Sequence, residues 1–290
     1  MRVLAILGPR AREQELVPFR AAGAEIRAAE SPADDAHADA VLVLGGDGTV
    51  QRHLAALVRT QLPLLVVPGG SGNDFARALG LRAKDDARRA WQRFLGGGKN
   101  LKSIDVGVLH FAAAGAANSP AYFGCAAGAG VDAEVARRAN SMPPWLRGNG
   151  GYFLAALPAL LRFQARPITV TATQQDGKLA RALSEPGILA VAANAPWYGH
   201  GMRIAPHAEL TDGQLEVCFV RRVGKWRLLR LFPKVYRGRH LGVPEVEYFR
   251  ATRLRLESDP PLNVHADGEL VGSTPVEISV QPRALPVIVG

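Results

Sequence analysis

The chain has 290 residues, a length that suits two domains better than a single core. Hydrophobic residues make up 48% of it and charged residues 21%, so global disorder is excluded, and no apolar run approaches the ~20 residues that a membrane-spanning helix needs. The formal net charge of +9 favours acidic partners: nucleotide phosphates, anionic lipid headgroups or nucleic acid.

The two cysteines and the apolar run near the N-terminus indicate the cellular compartment to expect. Cys125 and Cys218 stand far apart, without a second Cys or His at metal-ligand spacing, so neither a zinc site nor a disulfide framework is indicated. The apolar run at residues 3–7 is too short for a secretory signal. We therefore expect a cytoplasmic protein whose first strand is buried.

The first hundred residues alternate between short apolar runs and helical patterns. We predict strands at residues 3–7, 24–28, 41–44 and 64–67, and helices at residues 12–22, 50–60, 74–79 and 85–95. This alternation is typical of a Rossmann-like parallel sheet covered by helices. The glycines at residues 96–98 then predict a junction between an α/β domain at residues 1–101 and a second domain at residues 102–290.

Beyond the junction, strand patterns follow one another without regular helices between them. We predict strands at residues 168–173, 188–193, 215–220, 253–257 and 276–280. This succession indicates a mainly antiparallel domain, a sandwich or a barrel, with helical insertions at residues 152–163 and 225–236. We leave open whether the last strand, at about residues 281–290, packs on the first domain.

A glycine turn follows the predicted strand at residues 41–44. Its residues are Gly45, Gly46, Asp47, Gly48 and Thr49. Glycines let the backbone approach phosphates, and the helix that begins next supplies free N–H groups. The aspartate is informative, because a carboxylate beside polyphosphate is repelled unless Mg²⁺ or a proton lies between them. The turn therefore predicts a nucleotide site rather than a structural Asp-Gly turn.

A second glycine turn follows the next predicted strand. Its residues that could bind the nucleotide are Gly70, Ser71, Asn73 and Asp74. In a parallel sheet, turns after neighbouring strands converge at one edge, so two such turns can hold opposite sides of one nucleotide. Ser71 can donate to a phosphate oxygen, whereas Asn73 or Asp74 is equally suited to capping the following helix. Neither turn has the Walker A sequence.

A late acidic pair, Asp267 and Glu269, flanks Gly268. The two carboxylates would face the same way along an extended strand, and they diverge if Gly268 makes a tight turn. A general base needs only one of them. A solvated hairpin turn is the alternative interpretation.

These motifs resemble those of a known family. The first turn resembles the signature shared by phosphofructokinases, NAD kinases and diacylglycerol kinases, and the second turn, continued to Gly80, resembles the diacylglycerol-kinase catalytic family specifically. Further similar stretches lie at residues 128–135, 148–161, 194–206, 210–217 and 267–269.

The resemblance implies an N-terminal nucleotide domain, a C-terminal β-sandwich and an active site between them. It implies an ATP-dependent lipid kinase, with Glu269 as the proton acceptor and Asp47 and Asp267 as further catalytic candidates. It also implies a Mg²⁺ held in the second domain by Asp212, with Glu209 and Gln214 as neighbouring positions. A hairpin turn capped by Asp212 is the plain alternative.

Two departures from the family pattern leave other functions open. The first strand is followed by Leu7 to Arg10 in place of the family's Asn-Pro loop, and Gln51 and Arg52 stand where the family has Asn and Glu. The alternatives are an NAD-kinase-like enzyme acting on a soluble substrate and a non-catalytic nucleotide or membrane sensor.

A basic stretch at residues 221–240 contains no Asp or Glu and is interleaved with Leu, Phe and Trp226. Such a helix suits an anionic membrane surface, where the lipid substrate lies, and it equally suits packing on the sandwich. We expect Pro233 to interrupt the helix. No nucleic-acid partner is expected, a homodimer is left open, and His200 is a minor catalytic candidate.

Overall fold

The structure, a computed structural model, describes residues 1–20, 23–111, 120–132, 134–135, 138, 158–159 and 161–290. The predicted helix at residues 152–163 and the family-like stretch at residues 148–161 lie largely outside the described residues.

The first domain is built on a parallel sheet. Its strands are β1 (Arg2–Leu7), β2 (Glu25–Ala28), β3 (Ala40–Gly45) and β4 (Leu64–Pro68). They run side by side in the order β2, β1, β3, β4. β3 and β4 are buried along their whole length, as expected for strands covered on both faces. The predicted parallel α/β domain is confirmed.

Helices cover this sheet, and one prediction among them is wrong. The helices are α1 (Asp47–Thr60), α2 (Asp74–Ala78) and α3 (Lys84–Leu95). In place of the helix expected at residues 12–22 there is a short 3-10 helix, Glu13–Phe19, because Pro18 lacks the N–H that an α-helix requires. α1 begins earlier than predicted, since Gly46 is extended (φ −100°, ψ −173°) and serves as its N-cap.

The second domain is mainly antiparallel, as predicted. Its strands are β5 (Leu101–Phe111), β6 (Ala121–Phe123), β7 (Ala126–Gly130), β8 (Arg166–Thr173), β9 (Leu179–Ala193), β10 (Leu215–Arg221), β11 (Val246–Ala251), β12 (Arg253–Ser258), β13 (Asn263–Ala266), β14 (Glu269–Ser273) and β15 (Val276–Ile288). A core of buried Val, Leu, Ile, Ala and Phe side chains fills the sandwich. Sequence reasoning missed β5, β6, β7, β11, β13 and β14.

β7 shows why such strands escape prediction. It consists only of alanine and glycine, which have low β-propensity. Its place depends on close approach: a Cβ on Gly128 would lie 2.3 Å from the carbonyl oxygen of Ala190 in β9. The strand is therefore selected by the narrow space beside β9 and not by its own propensity.

β15 joins the two domains. It pairs antiparallel with β5 along most of its length, and its end pairs parallel with β4 at Leu64. Val276 and Ile278 lie in the sandwich core, whereas Leu285 and Val287 lie in the core of the first domain. The last strand thus packs on the first domain and fixes how the two cores face each other.

The basic stretch forms α4 (Lys225–Tyr236), and the helix continues through Pro233, contrary to expectation. Phe232 is buried, whereas Trp226 is 80% exposed. No helix among the described residues is both long enough and apolar enough to cross a membrane.

Replacing Gly128 with Ala should destabilise the sandwich by about 1–3 kcal/mol, the usual cost of forcing atoms into a packed core. Urea unfolding measures the loss. Gly242→Ala is the matched control, because a Cβ there meets nothing within 4 Å. Equal stability of both variants would contradict the packing argument.

Candidate active site

The two glycine turns touch each other. The N–H of Gly69 donates to the carbonyl oxygen of Gly45 (3.0 Å), and a Cβ on Gly70 would lie 2.5 Å from the Cα of Gly46. No side chain fits between these backbones, so both positions require glycine. The contact creates one surface of backbone at the carboxyl ends of β3 and β4, where open α/β sheets bind their ligands.

Asp47 holds the turns together. Its Oδ2 accepts the N–H of Asp74 (3.0 Å) and its Oδ1 accepts the N–H of Phe75 (3.0 Å). The carboxylate therefore caps α2 from the first residue of α1. Its role as a phosphate or metal group stays a prediction, and its structural role was not foreseen.

The second turn is stabilised by its own Asn73. The side chain accepts the N–H of Gly70 through Oδ1 (2.8 Å) and donates to the Gly70 carbonyl through Nδ2 (2.8 Å). The backbone of Asn73 is left-handed (φ 56°), a conformation that asparagine tolerates better than most residues. Asn73 thus shapes the turn through its side chain, and Ser71 stands exposed on it.

Asp74 is buried and ties the second turn to the second domain. Its Oδ1 pairs with Arg77 (2.6 Å), and its Oδ2 accepts the N–H groups of His200 (2.8 Å) and Gly201 (3.2 Å). Burial raises the pKa of Asp74 to about 6, with the Asp47 carboxylate adding to the rise and Arg77 opposing it. Asp74 does not cap its own helix in this arrangement, and its metal or nucleotide role stays a prediction.

The late acidic pair diverges. Asp267 has a left-handed backbone (φ 48°), and its carboxylate accepts the N–H groups of Gly124 (2.7 Å), Cys125 (2.9 Å) and Ala126 (3.0 Å). Burial raises the pKa of Asp267 to about 6 against the effect of these donors, and Asp47 adds to the rise. The Asp267 carboxylate therefore stabilises the corner between β6 and β7 through these three hydrogen bonds.

Glu269 is placed differently. It is exposed at the start of β14, and its Oε1 lies 3.4 Å from where a Cβ would stand on Gly48. An acid of the second domain therefore reaches the first glycine turn with its oxygens open to a ligand. It also borders a cavity of about 680 Å³ whose wall includes Arg162, Phe163, Arg166, Leu262, Asn263 and His265.

The predicted metal residues lie together on one loop. Asp212 is half-buried and accepts the N–H of Gln214 (3.0 Å), while Glu209 is exposed. Burial raises the pKa of Asp212, the carboxylates of Glu209 and Asp105 add to the rise, and Arg250 opposes it. Within the described part of the chain, no group of three or more His, Cys, Asp or Glu is arranged to hold a metal.

Sequence reasoning missed Asp105 and Asn194, which organise this region. Asp105 is fully buried and accepts the N–H groups of Gly213 (2.7 Å) and Arg283 (2.8 Å). Asn194, also fully buried, donates to the carbonyl oxygens of Asp105 (2.9 Å) and Gly124 (3.0 Å). The sequence did contain a signal for Asp105, because it is a single acid within the apolar part of β5.

The positions that depart from the family pattern lie beside the turns. Gln51 donates to the carbonyl oxygen of Tyr122 (2.7 Å) and so ties α1 to β6. Arg52 borders a surface depression near Leu7. Thr49 is buried, with its Oγ1 2.8 Å from where a Cβ would stand on Gly8, so it packs the first turn against the loop after β1.

The two touching glycine turns (residues 45–49 and 69–74) form a backbone cradle on the parallel sheet, and an acid from the β-sandwich domain faces it, so the fold and site define a two-domain α/β protein with a candidate anion site. The chain matches the diacylglycerol kinase catalytic domain over residues 2–109 and the YegS C-terminal NAD kinase beta sandwich-like domain over residues 125–289. The chain belongs to the diacylglycerol kinase family, and it is therefore a phosphotransferase of a family that uses ATP.

Relatives with similar sequences agree with this assignment. The diacylglycerol kinase of Mycobacterium tuberculosis is 35% identical over 256 residues, which cover 86% of this chain and 76% of that protein. The diacylglycerol kinase of Bacillus subtilis is 25% identical over 241 residues, covering 82% and 74% respectively.

Two solved structures show the shared fold. A diacylglycerol kinase of Bacillus anthracis superposes with a TM-score of 0.69 at 20% identity, covering 100% of this chain and 97% of that chain. An NAD kinase of Archaeoglobus fulgidus in complex with ATP superposes with a TM-score of 0.51 at 12% identity, covering 99% and 92%. The likeness is one of architecture.

The raised pKa of Asp74 predicts a pH-dependent stability. The folded protein holds this proton with a pKa of about 6, against 3.8 ordinarily, so the stability that the carboxyl contributes is present at low pH and is lost as pH rises through 6. Relative to Asp74→Asn, wild type should lose about 1–2 kcal/mol of unfolding free energy between pH 5 and pH 8. Urea unfolding at several pH values measures the difference, and a constant difference would refute the assignment.

Proposed function

We propose that this chain is an ATP-dependent lipid kinase that transfers the γ-phosphate to a hydroxyl of diacylglycerol or a related lipid. The observation that carries the proposal is the place of Glu269, an exposed acid against Gly48 of the first turn. A general base is useful only beside the phosphate that its substrate attacks, and Gly48 belongs to the cradle where phosphate would lie.

The cradle fits a polyphosphate. The Gly46–Gly70 contact excludes side chains from its floor, and the N-terminus of α1 offers backbone N–H groups and a partial positive charge. Ser71 adds an exposed hydroxyl. These groups bind an anion without a Walker A lysine.

The transfer needs a proton acceptor and an in-line acceptor oxygen. Glu269 takes the proton of the lipid hydroxyl as that oxygen bonds to the γ-phosphorus, and the bond to the bridging oxygen of ADP breaks. Asp267 is unsuited to this role, because three backbone N–H groups already occupy its carboxylate. It orients the turn that carries Glu269.

The donor set in the loop at residues 209–214 fits Mg²⁺ in kind. Asp212 and Glu209 are hard oxygen donors, as this ion prefers, and their mutual repulsion contributes to the raised pKa of Asp212. A bound Mg²⁺ would neutralise that repulsion. Asp105 stabilises this loop by accepting the N–H of Gly213.

The lipid acceptor would enter the cavity beside Glu269. Its volume of about 680 Å³ lies within the usual range for a small-molecule site. Phe163, Leu262 and Leu270 supply apolar wall, and Arg162 and Arg166 supply charge. This mixture suits a molecule with both a polar head and an apolar body.

The decisive assay follows labelled γ-phosphate from ATP into vesicles that contain diacylglycerol, with NAD as the soluble acceptor in parallel. Glu269→Gln should lower the rate by about 10²–10⁴-fold, the usual contribution of a general base. Its unfolding midpoint should not change, because Glu269 is exposed. Near-normal turnover would rule out the base assignment, labelled NAD would favour the soluble-substrate kinase, and ATP binding without transfer to any acceptor would favour the sensor.

Asp267→Asn is the matched comparison. An amide has one accepting oxygen for three N–H donors, so this variant should lose about 1–3 kcal/mol of stability. Urea unfolding should thus separate the two acids: Asp267→Asn is less stable, and Glu269→Gln is as stable as wild type. Equal stability of the two variants would refute the division of roles.

We further propose that α4 docks the enzyme on an anionic bilayer. Trp226, Arg230 and Lys234 are exposed at four-residue spacing and so share one face. Two arginines of the stretch are engaged with acids, since Arg221 pairs with Glu185 and Glu247, and Arg227 pairs with Glu245. The opposite face packs on the sandwich through Phe232, leaving an aromatic and basic face outward, as in interfacial helices.

Cosedimentation with phosphatidylglycerol vesicles tests this surface. Arg230→Ala and Lys234→Ala should each weaken binding by about 1 kcal/mol, roughly fivefold, and Trp226→Ala should weaken it further through lost apolar insertion. Leu179→Ala is the control, because Leu179 is comparably exposed at 63% but lies on β9. Undiminished binding by the α4 variants would remove the helix from the membrane contact.

A further inference from the structure

His200 is presented to the second glycine turn by a tight turn of the sandwich domain. Tyr198 and Met202 bridge to each other, and between them Gly199, His200 and Gly201 all have left-handed backbones (φ 57°, 66° and 92°). A non-glycine residue adopts this conformation at a cost in free energy. Histidine therefore stands where glycine would be the less strained choice.

The backbone of this turn supplies two of its contacts with the first domain. Asp74 accepts the main-chain N–H groups of His200 and Gly201, and any residue except proline at position 200 would supply the same donor. The hydrogen bonds to Asp74 therefore do not use the imidazole. The side chain makes a contact of its own.

That contact is with Ser71. The Nε2 of His200 is 2.9 Å from the Oγ of Ser71, and the imidazole passes over Gly72, where a Cβ would come within 3.6 Å of its Cδ2. Burial lowers the pKa of His200, with Asp47 opposing and Arg77 assisting the shift. The neutral imidazole has one donor nitrogen and one acceptor nitrogen.

The direction of this hydrogen bond determines what Ser71 can bind. A phosphate oxygen only accepts, and Ser71 has a single hydroxyl proton. If the Ser71 hydroxyl donates its hydrogen bond to His200, it has no proton left to donate to a phosphate oxygen. If His200 donates instead, the Ser71 proton is free to point outward from its exposed turn.

We propose that His200 is a positioning residue for the nucleotide: its Nε2–H donates to the Oγ of Ser71 and turns the Ser71 hydroxyl proton toward a phosphate oxygen. The inference rests on the proposed nucleotide site at the two glycine turns. Ser71 belongs to the first domain and His200 to the second, so phosphate recognition at this turn depends on both.

The test measures ATP affinity by isothermal titration calorimetry without lipid. His200→Gly removes the imidazole, keeps the backbone donor to Asp74 and relieves the backbone. Ser71→Ala removes the hydroxyl. Each change should weaken ATP binding about tenfold, as expected for a lost hydrogen bond to a charged group, and the double variant should be no weaker than either single one, since the two residues act through one bond.

Two further substitutions separate positioning from mere bulk. His200→Gln carries an amide nitrogen at the same number of bonds from Cβ as Nε2, and it should restore ATP affinity to within about threefold of wild type. His200→Asn tolerates the left-handed backbone but is one bond shorter, and it should bind like His200→Gly. His110→Ala, which removes an exposed imidazole on β5, should bind ATP normally.

The outcomes distinguish this inference from the proposed function. Wild-type affinity in His200→Gly, additive losses in the double variant, or equal binding by the Gln and Asn variants would each overturn the role of His200. A wild-type protein that binds ATP but phosphorylates no lipid would overturn the proposed function and leave this inference standing. A wild-type protein that does not bind ATP would overturn both.

Discussion

The close contact between Gly46 and Gly70 is the constraint on which the rest of the site depends. It brings two backbone turns within van der Waals distance, and Asp47 stabilises the contact by capping α2 across the gap. Any side chain on either glycine would separate the turns. The site is therefore made of backbone first, and its side chains act on a surface that the glycines have already formed.

Carboxylates bind backbone N–H groups around this surface, and one of them, Asp74, connects it to the second domain. Asp74 accepts the N–H groups at the His200 turn, Asp267 accepts those of the corner after β6, and Asp105 accepts those of the Gly213 loop and of β15. Each binds backbone donors of a distant segment, an interaction that is stronger for a charged acceptor. Glu269 differs because it is exposed. The division separates Glu269, the exposed acid proposed as the base, from Asp267, whose carboxylate is occupied by backbone N–H groups.

Sequence reasoning found what depends on local pattern and missed what depends on distant partners. The parallel strands β3 and β4 follow from apolar runs that end at glycine turns, and the prediction of a parallel sheet is confirmed. The capping role of Asp47 and the tie from Asp74 to His200 join residues 27 and 126 positions apart in the chain, and no local pattern encodes them. β7 was missed for the same reason, since its small residues are explained only by the space beside β9.

The sequence motifs do not predict which molecule accepts the phosphate, and the positions of the cavity residues explain this. The nucleotide cradle is formed by the first domain, whereas the cavity beside Glu269 is walled by residues such as Arg162, Arg166 and Asn263 of the second. Those residues lie outside both glycine turns and contribute nothing to the Gly46–Gly70 contact. The walls can therefore change without disturbing phosphate binding. If the acceptor binds in this cavity as proposed, one cradle can serve kinases of different acceptors, because the residues that contact the acceptor would then belong to the second domain.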